Sequence, residues 1–176
     1  MTRQTGLSLI ELMLVLLIGS TLLGIALPSF SSLLDKQRAV SAHNELLATI
    51  QLARTRAITD GRPTVVCPSR DGLQCAGGGV WENGWISFVD NDSNGFVSGA
   101  DKITRVDKEG MPQLMARSSQ SRPKVSFTKR GASAGNNISI RICDATGKPL
   151  QALIINNGGR ARVAQHREIS RLQRCE

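Results

Sequence analysis

From Leu7 to Leu27, twenty-one consecutive residues are almost all apolar, and Glu11 is the only charge among them. A helix of that length matches the ~30 Å hydrocarbon core of a bilayer. Beyond Pro28 the pattern becomes helical and amphipathic. Val40, Leu47, Ile50 and Ala57 recur at threes and sevens, with Lys36, Arg38, Glu45, Arg54 and Arg56 between them. Asp60-Gly61-Arg62-Pro63 ends the helix, Gly supplying a cap and Pro refusing continuation. One helix from Leu7 to Thr59 would reach ~80 Å and needs a head to pack on.

After Pro63 the period shortens to that of strands. Candidate strands are Thr64 to Cys67, Trp85 to Val89, Lys102 to Val106, Lys124 to Thr128, Ile138 to Cys143 and Leu150 to Ile155, separated by Gly- and Asn-rich turns. Ile138, Ile140 and Ile142 alternate with Ser139 and Arg141, so this strand has one buried and one wet face. An antiparallel β head follows, with Trp81, Trp85 and Phe88 expected between sheet and helix. The domain reading is a leader over 1–6, a transmembrane helix over 7–28, an amphipathic helix over 29–60 and a β head over 61–176.

Charge alters this picture at the C-terminus. The net charge is +8, but residues 117–176 hold twelve Lys/Arg against three Asp/Glu, while residues 1–116 hold ten against eleven. Arg160, Arg162, Arg167, Arg171 and Arg174 face only Glu168 and Glu176, and Gly158-Gly159 before them allow a tight turn. Alternation places Arg160 and Arg162 on one side of an extended stretch. Their forked guanidiniums suit bidentate contact with phosphate oxygens. Lys129, Arg130, Arg141 and Lys148 would widen the patch. No aromatic residue lies nearby to stack on bases, so a nucleic acid held here would be gripped through its backbone, independent of sequence. A solvated face, or a surface that docks an acidic subunit, is the alternative.

Four cysteines, Cys67, Cys75, Cys143 and Cys175, lie outside the apolar N-terminus and match no common zinc spacing. An even set suits disulfides in an oxidising compartment. Three connectivities are possible and sequence does not choose among them; local closure of Cys67 with Cys75, leaving Cys143 for Cys175, is the expected pairing. Asp90, Asp92, Asn94 and Asp101 have the oxygen spacing of a calcium loop, although the twelfth position is Asp rather than Glu and the flanks read as strands. A plain hairpin turn uses the same residues, and no metal or other cofactor is expected. His43 and His166 stand in unrelated contexts, no nucleophile, base or carboxylate pair can be assembled, and no enzyme is expected.

Glu11 requires an explanation, because an acid in a membrane-centred helix costs about 2.5–3.5 kcal/mol and usually has a partner. A secretory signal cut after Gly24-Ile25-Ala26, or a plain anchor, leaves it unexplained. Cleavage between Gly6 and Leu7 would instead create an α-amino group four residues upstream, a counter-ion available from a neighbouring copy. At these residues the chain resembles the class III leader and first helix of type IV pilins and type II secretion pseudopilins. Glu11 is the fifth residue counted from Leu7 and Pro28 the twenty-second, where that family commonly carries a kinking proline; Leu7 replaces the usual Phe.

The resemblance implies removal of the leader by a prepilin peptidase and N-methylation of the new terminus. It also implies insertion in the inner membrane with the head in the periplasm, and Glu11-guided assembly with other minor and major pilins. Arg3 agrees with a cytoplasmic leader. The stretch "WENGWISFVDNDSNG" is similar to the GspH/FimT family, which implies an α+β, type IV pilin-like fold: a long N-terminal helix packed on an antiparallel sheet. Gly159-Arg160-Ala161-Arg162 resembles the Gly-Arg-x-Arg motif with which FimT-type minor pilins hold DNA in natural transformation. A FimU-like priming or tip subunit, or a pseudopilin H serving protein export, are the competing roles.

Overall fold

A computed structural model describes residues 8–133 and 137–175; for 23 and 25–32 it describes the backbone alone. The chain divides into two compact units, Met1–Lys36 and Gln37–Glu176. The first helix, α1 (Leu9–Thr59), begins in one and ends in the other.

In the first unit, α1 is apolar all round: Leu9, Ile10, Met13, Leu16 and Leu17 are all exposed. Such a helix calls for lipid or protein neighbours on every side. Ser20 and Thr21 do not interrupt it, because their hydroxyls donate back to the carbonyls of Leu17 and Ile18. Among the described residues no helix is long and apolar enough to cross a membrane. The transmembrane expectation for 7–28 lies partly outside those residues.

In the second unit the buried stripe of α1 is Ala39, His43, Leu46, Ile50, Ala53 and Ala57, a strict alternation of four- and three-residue steps. This corrects the expected face: Val40 is 40% exposed and Leu47 only half-buried. Ile50 and Ala57 are buried as expected, but at Val40 and Leu47 the stripe sits one position back, and three alanines and a histidine occupy it, small or polar residues that hydrophobicity alone does not mark.

Two antiparallel four-stranded sheets meet this stripe. The first contains β1 (Thr64–Pro68), β2 (Trp85–Val89), β3 (Lys102–Asp107) and β5 (Val125–Phe127), in the order β3-β2-β1-β5. The second contains β4 (Met115–Arg117), β6 (Ile138–Cys143), β7 (Pro149–Ile155) and β8 (Ala161–Val163), in the order β4-β6-β7-β8. A four-residue helix, α2 (His166–Ile169), follows β8. The six expected strands are present; β4, β8 and α2 are additions.

Trp81 and Trp85 fill the space between helix and sheets and are fully buried. Each indole N–H finds a partner, Trp85 donating to Thr49 Oγ1 at 3.3 Å and Trp81 to Ser118 Oγ at 3.0 Å. Phe88 does not join them. It packs with Val65, Cys67 and Ile86 on the other face of the first sheet, because successive strand residues point to opposite faces. That second face is covered by Cys75 and Val97, with Ile103 of β3 packed beside it, so β1 and β2 are buried on both sides.

Both disulfides form as expected. Cys67 joins Cys75 with Cα atoms 5.5 Å apart, and Cys143 joins Cys175 at 6.2 Å. The first pins the loop over the outer face of β1. The second ties the C-terminal segment to the end of β6.

Candidate nucleic-acid interface

The arginine-rich segment begins at the turn between β7 and β8. Gly159 N–H donates to Asn156 O at 2.8 Å, and Arg160 N–H donates to Asn156 Oδ1 at 2.9 Å. Gly159 has φ +76°, and a Cβ there would lie 2.0 Å from the carbonyl oxygen of Gly131. Only glycine tolerates that approach. The turn of residues 128–131 therefore lies directly against the Gly158-Gly159 turn, and Ser133 N–H bonds Asn157 O at 3.0 Å. Arg54 of α1 locks both turns from beneath, Nε donating to Gly131 O at 2.9 Å and Nη2 to Gly158 O at 3.2 Å.

This arrangement gathers Lys129, Arg130 and Arg160 at one end of the head, all exposed. None of the three has an ion-pair partner among the described residues. Ala161 packs against the core, so Arg160 and Arg162 emerge on the opposite side of the β8 edge, as alternation requires.

Arg162 is not free, however. Its Nη1 and Nη2 donate to Glu168 Oε2 and Oε1 at 2.8 and 2.7 Å, and Glu168 Oε2 also accepts the Gln165 N–H at 2.7 Å. The arginine, followed by that backbone donor, pulls the Glu168 carboxyl down to about 2. Sequence reading counted Glu168, with Glu176, among the charges opposing the arginines and missed the pair. The available signal was the three-residue step from Gln165 to Glu168, the spacing of a helix-start box that turns the carboxylate back toward β8.

The remaining predicted cations separate. Arg167 is exposed beside Glu168. Arg141, half-buried on β6, donates to the carbonyls of Gln173 and Arg174 at 3.1 and 3.3 Å and so anchors the C-terminal segment. Lys148 closes the Asp144–Lys148 turn at the far end of β7, roughly 20 Å along the strand from Arg160. The expected continuous patch is thus a compact group at the β7–β8 turn, with Lys148 distant and Arg141 engaged.

Elsewhere, Glu11 lies exposed in the first turn of α1, and the helix backbone runs through Pro28. Gly6 and Leu7, the expected cleavage site, lie outside the described residues. Asp90, Asp92 and Asp101 converge, a carboxylate oxygen of each lying within 4.8 Å of the others. Burial pushes the Asp90 carboxyl up. His43 is buried and His166 exposed, with nothing linking them.

A helix that starts apolar on every side and ends packed against a disulfide-stapled head of two antiparallel sheets defines a type IV pilin-like α+β protein. The chain belongs to the GspH family: the model described as type II transport protein GspH matches residues 42–159. The prokaryotic N-terminal methylation motif matches residues 1–27. The fold is similar to that of the type IV minor pilin FimU of Pseudomonas aeruginosa in two crystal forms. In the first, identity is 23%, the TM-score 0.61, and coverage 80% of this chain and 96% of the other. In the second the values are 24%, 0.58, 77% and 98%. The minor pseudopilin EpsH of Vibrio cholerae matches at 15% identity and TM-score 0.46, over 71% and 94% of the two chains. A comparison with curated protein sequences finds no match. The family match ends at Gly159, so the arginines that follow lie beyond it.

Proposed function

We propose that this chain is a minor type IV pilin that binds duplex DNA through the end of its β7–β8 hairpin, for uptake in natural transformation. One observation carries the reading: Arg160, Lys129 and Arg130 lie on adjoining turns locked by Arg54, exposed and without ion-pair partners among the described residues. Because the turn backbones are already held, binding has only the side chains to order when they meet phosphates, and such contacts read no base. Association is then dominated by counterion release.

The N-terminal part of the proposal concerns assembly. A prepilin peptidase cuts between Gly6 and Leu7, the apolar helix holds the subunit in the inner membrane with its head in the periplasm, and Glu11 pairs with the amine of a neighbouring pilin as the filament grows. Pro28 kinks the helix for packing. Mass spectrometry of the natural product should find Leu7 as its first residue. A mature chain that begins at Met1, or after Ala26, defeats this part.

DNA binding is tested with the full chain in detergent, by gel shift against duplexes of unrelated sequence over a salt series. Arg160→Ala together with Arg162→Ala should abolish most binding, equally for every duplex. Unchanged shifts would remove the reading.

The Arg162–Glu168 pair and the anchoring role of Arg141 favour a second reading, because they reduce the free charge and leave an ordered surface suited to a protein. In it the same face docks on another subunit of a pilus or of a type II secretion pseudopilus. Pull-downs with and without nuclease separate the two: nuclease abolishes co-purification only where DNA is the bridge.

A further inference from the structure

We propose that the loop from Asp90 to Asp101 binds a divalent cation, Ca2+ by its ligand chemistry, and that the cation fastens this loop over the outer face of the first sheet. Asp90, Asp92 and Asp101 bring three carboxylates together, with an oxygen of each within 4.8 Å of the others. Clustering alone is common on protein surfaces. The independent observation is Asp90 itself: the residue is 3% exposed, and its Oδ1 is buried without a hydrogen-bond partner. A carboxylate oxygen in that state is costly unless a proton donor or a cation meets it.

The rest of the loop supplies the oxygen donors that a cation needs. Asp90, Asp92, Asn94, Phe96, Ser98 and Asp101 occupy positions 1, 3, 5, 7, 9 and 12, the positions that supply oxygens in twelve-residue calcium loops, the seventh through its carbonyl. Gly95, at position 6, has φ +75°, the sharp turn such loops need. Ser98 Oγ already bridges Asp92 Oδ2 at 3.0 Å and Asp101 Oδ2 at 2.9 Å, so the ninth position faces the carboxylates. Lys124 is the neighbouring cation; its ammonium donates to Gly95 O, sits 4.1 Å from the Phe96 ring centroid and attracts Asp90 electrostatically, without a hydrogen bond to the three carboxylates among the described residues.

An all-oxygen set excludes metals that favour nitrogen or sulfur. Calcium is favoured over magnesium because an irregular loop with crowded carboxylates offers six to eight adaptable ligands more readily than a strict octahedron. Asp at the twelfth position, one methylene shorter than Glu, reaches the ion less fully. That places the affinity in the range of extracellular modules, about 10⁻⁴–10⁻³ M. Val97, inside the loop, packs on the Val65, Cys67, Ile86 and Phe88 cluster, and Asp90 N–H holds Pro63 O at 2.9 Å. Cation binding would therefore stabilise the head as a whole.

The test is thermal unfolding of the full chain in detergent, followed by the fluorescence of Trp81 and Trp85, in EGTA, in CaCl2 and in MgCl2. At a tenfold excess over Kd, calcium should raise Tm by about 3–6 °C, and magnesium by less than half as much. Asp90→Asn should abolish the response. Because that residue is buried, exposed Asp92→Asn is the decisive variant: it keeps the Tm of the wild type in EGTA and loses the calcium shift. No calcium response at 10 mM, or the same response in Asp92→Asn as in the wild type, overturns the site. Equal shifts with both ions overturn the assignment to calcium.

Discussion

Arg162 grips Glu168 with both Nη atoms, at 2.8 and 2.7 Å, and so the second arginine of the Gly-Arg-x-Arg stretch is neutralised within its own head. The first, Arg160, has no such partner among the described residues. Alanine at 160 should therefore weaken DNA binding more than alanine at 162 and reduce the slope of log K against log salt by about one. Lys148→Ala, at the far end of the strand, should leave binding nearly unchanged. Comparable losses at 148 and 160 in a quantitative gel shift would contradict the compact site.

The same pair gives a prediction of opposite sign. Glu168→Gln removes the competing carboxylate and should strengthen binding, with the salt slope steepened by about one. Its pH dependence follows from linkage. The Glu168 carboxyl titrates near 2 in the folded chain, against an ordinary value of 4.5, so the pair contributes fully above about pH 4.5 and is lost as pH falls toward 2. Across the neutral range it persists. An NMR titration that finds Glu168 near 4.5 would show that the grip does not hold in solution.

Gly159 is a structural necessity before it is part of a motif. Replacement by Ala imposes a left-handed conformation on a residue with a side chain and drives a Cβ into the Gly131 carbonyl and toward Arg54 Nε, 3.2 Å away. We expect a loss of at least about 2 kcal/mol, or a fall in Tm of about 4–8 °C. The control is Gly99→Ala, where nothing lies within 4 Å and the change should be close to neutral. If the two variants melt together, the contact between the turns is not holding the site.

These predictions depend on features of unequal visibility in the sequence. Ile138, Ile140 and Ile142 announce their strand because every second residue is large and β-branched. Met115–Arg117 and Ala161–Val163 are three residues long, and become strands only through Ile142 and Leu153, their partners across the sheet. Spacing also misleads for the basic residues. Lys148 and Arg160 are close in sequence but stand at opposite ends of β7, while Lys129, thirty-one positions before Arg160, lies on the neighbouring turn. Tertiary packing creates that neighbourhood, and Arg54 on the distant helix completes it. On α1, period alone suggested a face with Val40 and Leu47, yet Ala39 and Leu46 are the residues buried there.

The two disulfides should contribute unequally. In the chain-entropy view a bridge stabilises by restricting the unfolded chain, and the Cys143–Cys175 separation of 32 exceeds the Cys67–Cys75 separation of 8. Serine pairs should then cost about 3–4 kcal/mol at the long bridge and about 2–3 at the short one. Loss of the long bridge also frees the segment that Arg141 holds, so Arg167, Arg171 and Arg174 should gain proteolytic sensitivity before the head melts. Limited trypsin digestion read by mass checks this. Early cleavage at Arg70 rather than in the C-terminal segment would contradict it.

His43 offers a sharper test of the core. It lies in the buried stripe of α1, 2% exposed, and neither ring nitrogen has a hydrogen-bond partner among the described residues. Burial lowers its pKa below the ordinary 6.5. The unfolded chain therefore binds a proton near pH 6.5 that the folded chain refuses, so this histidine's contribution is fully present above that pH and declines as pH falls below it. His43→Leu keeps a similar volume, favours the helix and removes two unsatisfied polar atoms, and should stabilise the head by about 1–3 kcal/mol. The variant should also lose the decline in stability between pH 6.5 and 5, where few carboxylates titrate. If urea melts of the two proteins fall in parallel over that interval, the proton is taken up elsewhere and His43 is not an unsatisfied core residue.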